Sequence, residues 1–490
     1  MLASTGAELH EPTRPCTSRV ALDAGFGAAG LPALLGPALE ALAAGAALRA
    51  GPAPAGTPGE LGAAWADRLG RLLPVDGVGA VTALSELVEL FAAGSVDPAD
   101  PRCAAHLHCP PLAVAVAADT AASALNPSLD SWDQAPFGTA LEPALIASLA
   151  GLVGFDQDRV GGVITTGGSE SNLMGLLLAR ERVLPGAVRQ GLPVGRYRVF
   201  GSAVTHFSVH RAAGLLGFGE DAVVPVRTGS DHRLDPAALA AALAAARAAG
   251  ETPIAVVATA GTTDLGAIDP LPSIAEVAAA NGVWLHVDAA YGGGALFSDA
   301  LAPLLAGLDR ADSVGLDLHK LGWQPVAAGV FLSRDAASGG ALARRAEYLN
   351  PADDEDAGYT SLLGRCMRTT RRPDALKIAV TLRALGRHGL GALVDRCHAL
   401  ALHAAARIGA SPALELYQPP VLTTVVFRYR GSDQCNARLR RALLAAGSAV
   451  VGRTEIAGRV WLKLTLLNPD ATEADVDALL ATVTAAGAAQ

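Results

Sequence analysis

The chain is poor in several things, and each shortage narrows what it can be. Six cysteines in 490 residues are too few for a disulfide scaffold and suit free thiols in a reducing compartment. There is no basic excess: 38 Lys and Arg against 47 Asp and Glu leave a net charge of −9. The cations are also scattered rather than blocked, so a nucleic-acid partner finds no positive face. Although 51% of the residues are hydrophobic and the mean hydropathy is +0.33, no uninterrupted apolar run has the length needed to span a bilayer. Much of the apolar content is alanine spread through helical stretches. Even residues 31–48 carry Glu40 and are interrupted by Gly36 and Pro37. Residues 1–19 are polar and of mixed charge, without the apolar core of a secretion signal. The expectation is a cytoplasmic protein that binds neither nucleic acid nor membrane. Cys103, His106, His108 and Cys109 lie within seven residues. Structural zinc sites join two such clusters far apart, and adjacent His108 and Cys109 point different ways in any regular structure, so no metal is expected.

What is present has a clear rhythm. Residues 31–93 read as helical, with Pro/Gly-rich breaks at 51–59 and 74–79, which describes an N-terminal helical arm. From Gly161 short apolar runs alternate with Ala-rich helices: 161–165, 197–200, 222–226, 254–258, 283–287 and 313–317. Strands buried on both faces and separated by helices imply a mostly parallel sheet covered on both sides. A long helical pattern follows to residue 408. Strand-like runs at 421–427 and 459–465 then alternate with helices at 436–446 and 473–485, giving a small C-terminal α+β domain. The division is 1–110 (arm), 111–385 (large α/β domain) and 386–490 (small domain).

In an open α/β sheet ligands bind at the carboxyl ends of the strands, so polar residues just past each strand are the first candidates. After the strand at 161–165 comes Thr166-Gly167-Gly168-Ser169-Glu170-Ser171-Asn172 and then a helix. Glycines let backbone amides approach an anion, Ser169 can cap the helix, and the helix start favours negative charge. This is a phosphate cradle without a Walker lysine, or simply a strand-to-helix connection. His206 follows the next strand and can stack on a flat ring and move protons, or be a core histidine with one hydrogen bond. Thr262 and Thr263 follow the strand at 254–258 and can offer hydroxyls. Asp288 ends a strand whose Val283, Leu285 and Val287 lie on one face and Trp284, His286 and Asp288 on the other. A carboxylate there needs a cation or donors, and a helix cap or metal ligand are the other readings.

Lys320 sits in Asp317-Leu318-His319-Lys320-Leu321-Gly322-Trp323, 32 residues after Asp288. A lysine is ordinarily a solvated surface residue, but these neighbours leave little room for water. Burial near a cationic histidine or a ring system would free the amine for attack. A lysine that serves as an amine nucleophile, with a carboxylate that keeps a pyridine nitrogen protonated, is what a pyridoxal phosphate site requires.

Together these motifs resemble one family. Thr166-Gly167-Gly168-Ser169-Glu170, Ala258-Thr259-Ala260-Gly261-Thr262-Thr263, His286-Val287-Asp288-Ala289-Ala290-Tyr291-Gly292 and Asp317-Leu318-His319-Lys320 are similar to those of the group II pyridoxal phosphate-dependent amino acid decarboxylases. The resemblance extends over residues 101–469. It implies the fold-type I architecture, related to aspartate aminotransferase, and a homodimer whose site lies at the subunit interface with exchanged N-terminal helices. It further implies Lys320 as the Schiff-base lysine, Asp288 on the ring nitrogen, His206 stacked on the ring and Ala290 beneath its other face. Gly168, Ser169 and His319 would hold the phosphate, and Thr263 would lie near the ring or substrate.

A finer likeness bears on the substrate. His106-Leu107-His108-Cys109-Pro110-Pro111, residues 126–136, Lys320-Leu321-Gly322-Trp323-Gln324-Pro325 and Tyr348-Leu349-Asn350-Pro351-Ala352-Asp353-Asp354 look like the lysine and 2,4-diaminobutyrate decarboxylases of siderophore-type pathways. The implied reaction is α-decarboxylation of a basic diamino acid such as lysine, ornithine or 2,4-diaminobutyrate. Glutamate, aromatic substrates, or an aldehyde synthase or aminotransferase on the same fold are the alternatives. By the same likeness the run 106–109 lines the substrate entrance. The polar stretch 351–367 would close over the site to exclude water, Tyr359 would supply the proton to Cα with Tyr348 as rival, and Asp133 or an acid of that stretch would meet the distal ammonium.

Overall fold

The computed structural model describes residues 25–490; the polar stretch 1–19 lies outside them. Two compact units are present, one of residues 25–50 and 58–95 and one of residues 51–57 and 96–490. In the first, helices Pro32–Arg49, Pro58–Leu69 and Ala80–Gly94 are separated at the Pro/Gly-rich breaks read from sequence. The first of these helices runs through Pro37. Arg49 closes this unit by donating to the Ala92 carbonyl at 2.8 Å.

The second unit contains two sheets. Its strands are β1 (Cys103–Ala104), β2 (Gly161–Thr165), β3 (Tyr197–Ser202), β4 (Val223–Val226), β5 (Thr252–Thr259), β6 (Trp284–Ala289), β7 (Ser313–Asp317), β8 (Gly329–Ser333), β9 (Leu414–Leu416), β10 (Thr424–Tyr429), β11 (Val450–Ile456) and β12 (Arg459–Thr465). The large sheet has the order β2-β8-β7-β6-β5-β3-β4. The neighbours from β7 through β6, β5 and β3 to β4 are parallel, whereas β8 runs antiparallel to both β2 and β7. Every residue of β6, β7 and β8 is buried, as expected for strands covered on both faces. β8 has no counterpart in the sequence reading, since a five-residue apolar run without a following helix leaves no alternation to detect.

Helices cover both faces. Pro236–Ala248 starts cleanly because Asp235 accepts from the Ala237 and Ala238 amides and proline occupies its first turn. Pro136–Val153 is the helix among the described residues long and apolar enough to cross a membrane. In this fold it packs into the core and carries Glu142, whose two oxygens take Arg371 at 2.8 and 3.0 Å.

The small sheet has the order β1-β11-β12-β10-β9, backed by helices Asp433–Ala445 and Glu473–Ala488. β1 pairs in parallel with Val450 and Val451 of β11, so residues 103–104, expected in the arm, join the C-terminal sheet. The helix Ala375–Ala410 links the two sheets and breaks at Gly386, which has φ of 64°. The small domain grips three strand-end loops of the large sheet. The Tyr291 hydroxyl lies 2.8 Å from Thr423 and 2.9 Å from Thr424, Lys463 reaches Asp264 at 2.7 Å, and the Trp323 indole donates to the Leu467 carbonyl at 2.8 Å.

Candidate active site

The carboxyl ends of β2, β3, β5, β6 and β7 converge on a cavity of about 260 Å³ lined by residues of all five. Gly168, Ser169, His206, Thr263, Asp288, Ala290, His319 and Lys320 all line it. Parallel strands in register bring this about: Thr259 is opposite Asp288 across β5–β6, and Asp288 is opposite Gly315 across β6–β7. Residues far apart in sequence therefore end at one level.

The helix Gly168–Val183 begins at the cavity, so the amides of its first turn face it. A Cβ on Gly168 would sit 2.9 Å from that of Ala290 and 3.3 Å from Asp317 Oδ2, so glycine keeps this space open. Ser169 does not cap the helix. It lies one residue inside, after Gly167 at the cap position, and no side chain caps the helix; Glu170 reaches back past its start, accepting from Thr166 N at 2.7 Å and from its hydroxyl at 2.8 Å. Arg368 holds the other Glu170 oxygen at 3.0 Å.

Asp288 is 6% exposed and has no cation within ion-pair distance among the described residues. Its oxygens accept from the Asn172 amide at 2.8 Å and from Ala290 N at 3.1 Å. Two neutral donors are a thin compensation for a buried carboxylate, so the site has the form of one waiting for a cation. Lys320 does not stand beside a cationic histidine as expected. The charge next to its Nζ is Asp317, with Oδ2 at 2.9 Å, and burial lowers the pKa values of both His206 and His319, outweighing the pull of nearby carboxylates. His319 Nδ1 accepts from Ala328 N at 3.2 Å, which leaves its Nε2–H 3.5 Å from Asp317 Oδ2. His206 Nδ1 receives both the Ser208 hydroxyl at 2.7 Å and the Ser208 amide at 3.3 Å, so its proton is on Nε2.

These features fit pyridoxal phosphate. A protonated ring nitrogen is the cation Asp288 lacks, and the helix start offers donors to the phosphate. The buried Thr259 Oγ1 and Asp317 Oδ1, both on cavity residues, have no hydrogen-bond partner and remain for a bound group.

Other expected residues lie elsewhere. Tyr359 does not line the cavity; it is 49% exposed, with its ring edge-on to Trp132 at 5.0 Å. Tyr348 is exposed. Asp133 accepts from Ser131, Asp353 sits on the short turn Ala352–Asp356, and neither lines the cavity. Of the run 106–109, Leu107 lines it, while Cys109 donates to the His319 carbonyl at 3.3 Å and burial pushes its thiol up to about 12. Among the described residues no group of three potential ligands could hold a metal. Asp317, Asn172 and Ser208 were not singled out from sequence. The signals existed: Asp317 precedes Lys320 by three, and Asn172 follows Gly168 by four, one turn down the same helix face.

Comparison with known proteins agrees with this geometry. The profile described as the pyridoxal-dependent decarboxylase conserved domain matches residues 84–430. An L-2,4-diaminobutyrate decarboxylase of Rhizobium meliloti (strain 1021) is 46% identical over 408 residues, 82% of this chain and 80% of the relative. The glutamate decarboxylase domain of a diaminobutyrate-pyruvate transaminase and L-2,4-diaminobutyrate decarboxylase from Vibrio parahaemolyticus superposes with a TM-score of 0.83 at 32% identity, covering 95% of this chain and 97% of that one. Oryza sativa TDC, crystallised with pyridoxal phosphate and tryptamine, gives 0.87 at 26% identity over 95% and 99%.

Proposed function

The chain belongs to the pyridoxal-dependent decarboxylase family, and we propose that it removes the α-carboxylate of a diamino acid, 2,4-diaminobutyrate before lysine or ornithine, releasing carbon dioxide and the diamine. One structural observation carries the reading: Lys320 and a buried Asp288 without a cationic partner open into one cavity beside a helix start. The likeness to diaminobutyrate decarboxylases supports the substrate.

When bound, pyridoxal phosphate supplies an aldehyde for Lys320 and a protonated ring that accepts the electron pair left by departing carbon dioxide. In this reading Gly168 and Ser169 bind the phosphate through their amides, with His319 beside them. Asp288 holds the ring nitrogen charged, Ala290 and His206 bracket the ring, and Thr263 stands at its rim. Asp317 steadies the Lys320 amine and can exchange a proton with it. The Nε2–H of His206 and the Lys320 amine are the cavity's own donors for the substrate α-carbon, a role Tyr359 could take only after moving from Trp132.

A homodimer with exchanged arms fits Leu35, Leu39 and Leu42, which repeat along one face of their helix and are 40%, 64% and 43% exposed. The reduced thiols of Cys109, Cys366, Cys397 and Cys435 suit a cytoplasmic setting. The place in siderophore-type biosynthesis rests on the family likeness, and the three-domain division on the pattern of helices and strands along the sequence. Carbon dioxide release measured across 2,4-diaminobutyrate, lysine, ornithine, glutamate and aromatic amino acids tests the assignment. The highest kcat/KM is expected for 2,4-diaminobutyrate; a higher value for glutamate or an aromatic substrate would overturn it.

A further inference from the structure

Behind the cavity floor, six buried side chains and the half-buried His206 form one hydrogen-bonded chain, and its polarity can be read from the groups at its ends. The Trp284 indole can only donate, and does so to Ser313 Oγ at 2.9 Å. Ser313 Oγ also lies 2.9 Å from His286 Nδ1 and donates to it when the neutral ring carries its one proton on Nε2. At the other end the Asp288 carboxylate can only accept, so the Asn172 amide nitrogen must face it. The second proton of that nitrogen goes to Ser208 Oγ at 2.9 Å, which frees the Ser208 hydroxyl proton for His206. Asn172 Oδ1 is then the acceptor for His286 Nε2 at 2.9 Å. Both amide protons and the oxygen of Asn172 are thus engaged, although the residue is buried.

The close packing that builds this chain is local. Trp284, His286 and Asp288 alternate onto one face of β6, and the helix Gly168–Val183 lies against that face. A Cβ on Gly175 would be 2.5 Å from His286 Nδ1, so glycine at that position lets the helix rest on the imidazole. Burial holds His286 down to about 4 against the opposing pull of Asp288, which agrees with a neutral ring.

We propose that Asn172 and His286 are positioning residues of the cofactor site: the Asn172 amide, oriented by the His286 Nε2–H, keeps Asp288 charged and aimed into the cavity and, through Ser208, directs the proton of His206 to Nε2. The proposal rests on the pyridoxal phosphate reading above. Hydrogen bonds to charged groups are the strong ones, and losing this one leaves Asp288 with the Ala290 amide alone.

Two measurements decide it. In cofactor-free protein labelled with 15N-histidine, the His286 signals, identified by their loss in His286→Gln, should show a proton on Nε2 and none on Nδ1 at neutral pH. A proton on Nδ1, or on both nitrogens, overturns the proposal. In the second, Asn172→Leu and His286→Phe should weaken pyridoxal phosphate binding by about 10- to 100-fold and shift the visible band of the bound cofactor, while His286→Gln, which keeps one donor and one acceptor, stays within about threefold of wild type. Equal loss in His286→Gln and His286→Phe, or binding in both leucine and phenylalanine variants within about threefold of wild type, overturns it. Should Asn172→Leu fail to fold, the His286 pair and the wild-type spectrum still decide. If wild-type protein binds no pyridoxal phosphate, the functional reading falls, and the histidine spectrum still reports on the buried chain.

Discussion

The strand ends around the cavity and the polar segment 351–367 hold their side chains by different means. Asp288 and Lys320 each have a partner at 2.8 to 2.9 Å; Asp288 stands on β6, and Lys320 follows three residues after the end of the parallel neighbour β7. The segment offers instead one short helical turn, Ala352–Asp356, and a Tyr359 ring resting on Trp132. Its later part is anchored by buried Leu362 and Leu363, with the Leu362 amide donating to the Leu129 carbonyl at 3.2 Å, and just beyond its end Arg368 takes Glu170 and Arg371 takes Glu142. A sheet transmits position from strand to strand through its backbone hydrogen bonds, whereas a connection takes its course from whatever it touches. Chemistry that must be held still is found on the first, and the second is where movement is affordable.

The largest expected effect tests the rigid side directly. Lys320→Ala should abolish the visible band of the bound cofactor and lower kcat/KM for decarboxylation by about 10³-fold or more; a variant that keeps its activity would remove Lys320 from the chemistry. Next comes the ion pair that follows the polar segment. Arg371→Met leaves Glu142 buried without its cation and should cost about 3–5 kcal/mol of stability, read as a fall in denaturation midpoint, because an unpaired buried charge is expensive. A loss under about 1 kcal/mol would mean that the ion pair does not anchor the segment.

A third experiment compares stabilities as pH falls. His286 is lowered to about 4 in the folded protein against an ordinary value of 6.5, so the unfolded chain takes up the proton first. Stability from this group is present above 6.5 and is lost as pH falls towards 4. Wild type should therefore lose stability relative to His286→Gln across that window, by up to about 1.4 kcal/mol per pH unit. Parallel curves would show that the imidazole is not buried neutral. The smallest effect belongs to the segment's interior: Tyr359→Phe should change kcat by less than about twofold and stability by less than about 0.5 kcal/mol. A drop of about 100-fold in kcat, the size of a lost general acid, would show that the segment closes over the cavity.

Much of the site was legible because strand ends in an alternating β/α pattern converge whatever the details of packing. Gly168, His206, Asp288 and Lys320 could thus be grouped before any coordinates. The parts that escaped have physical causes. β8 runs antiparallel between β2 and β7, and no periodicity announces a strand inserted out of order. The group beside Lys320 was expected to be a cationic histidine or a cofactor ring. A carboxylate three residues back points at the amine instead, because the turn after β7 folds the chain over itself. Ser169 looked like a cap, but the helix begins one residue before it and Glu170 reaches back.

The linear order of residues determined the α/β alternation, the strand ends that carry chemistry and the family of reaction, since these follow from hydrophobic period and from residue type at a strand's end. Only the tertiary structure decided which groups meet: Asn172 under Asp288, Asp317 beside Lys320, Tyr359 away from the cavity. The first and last of those contacts join residues 116 and 227 positions apart in the chain, and a contact across such separations is set by register and packing rather than by any local pattern.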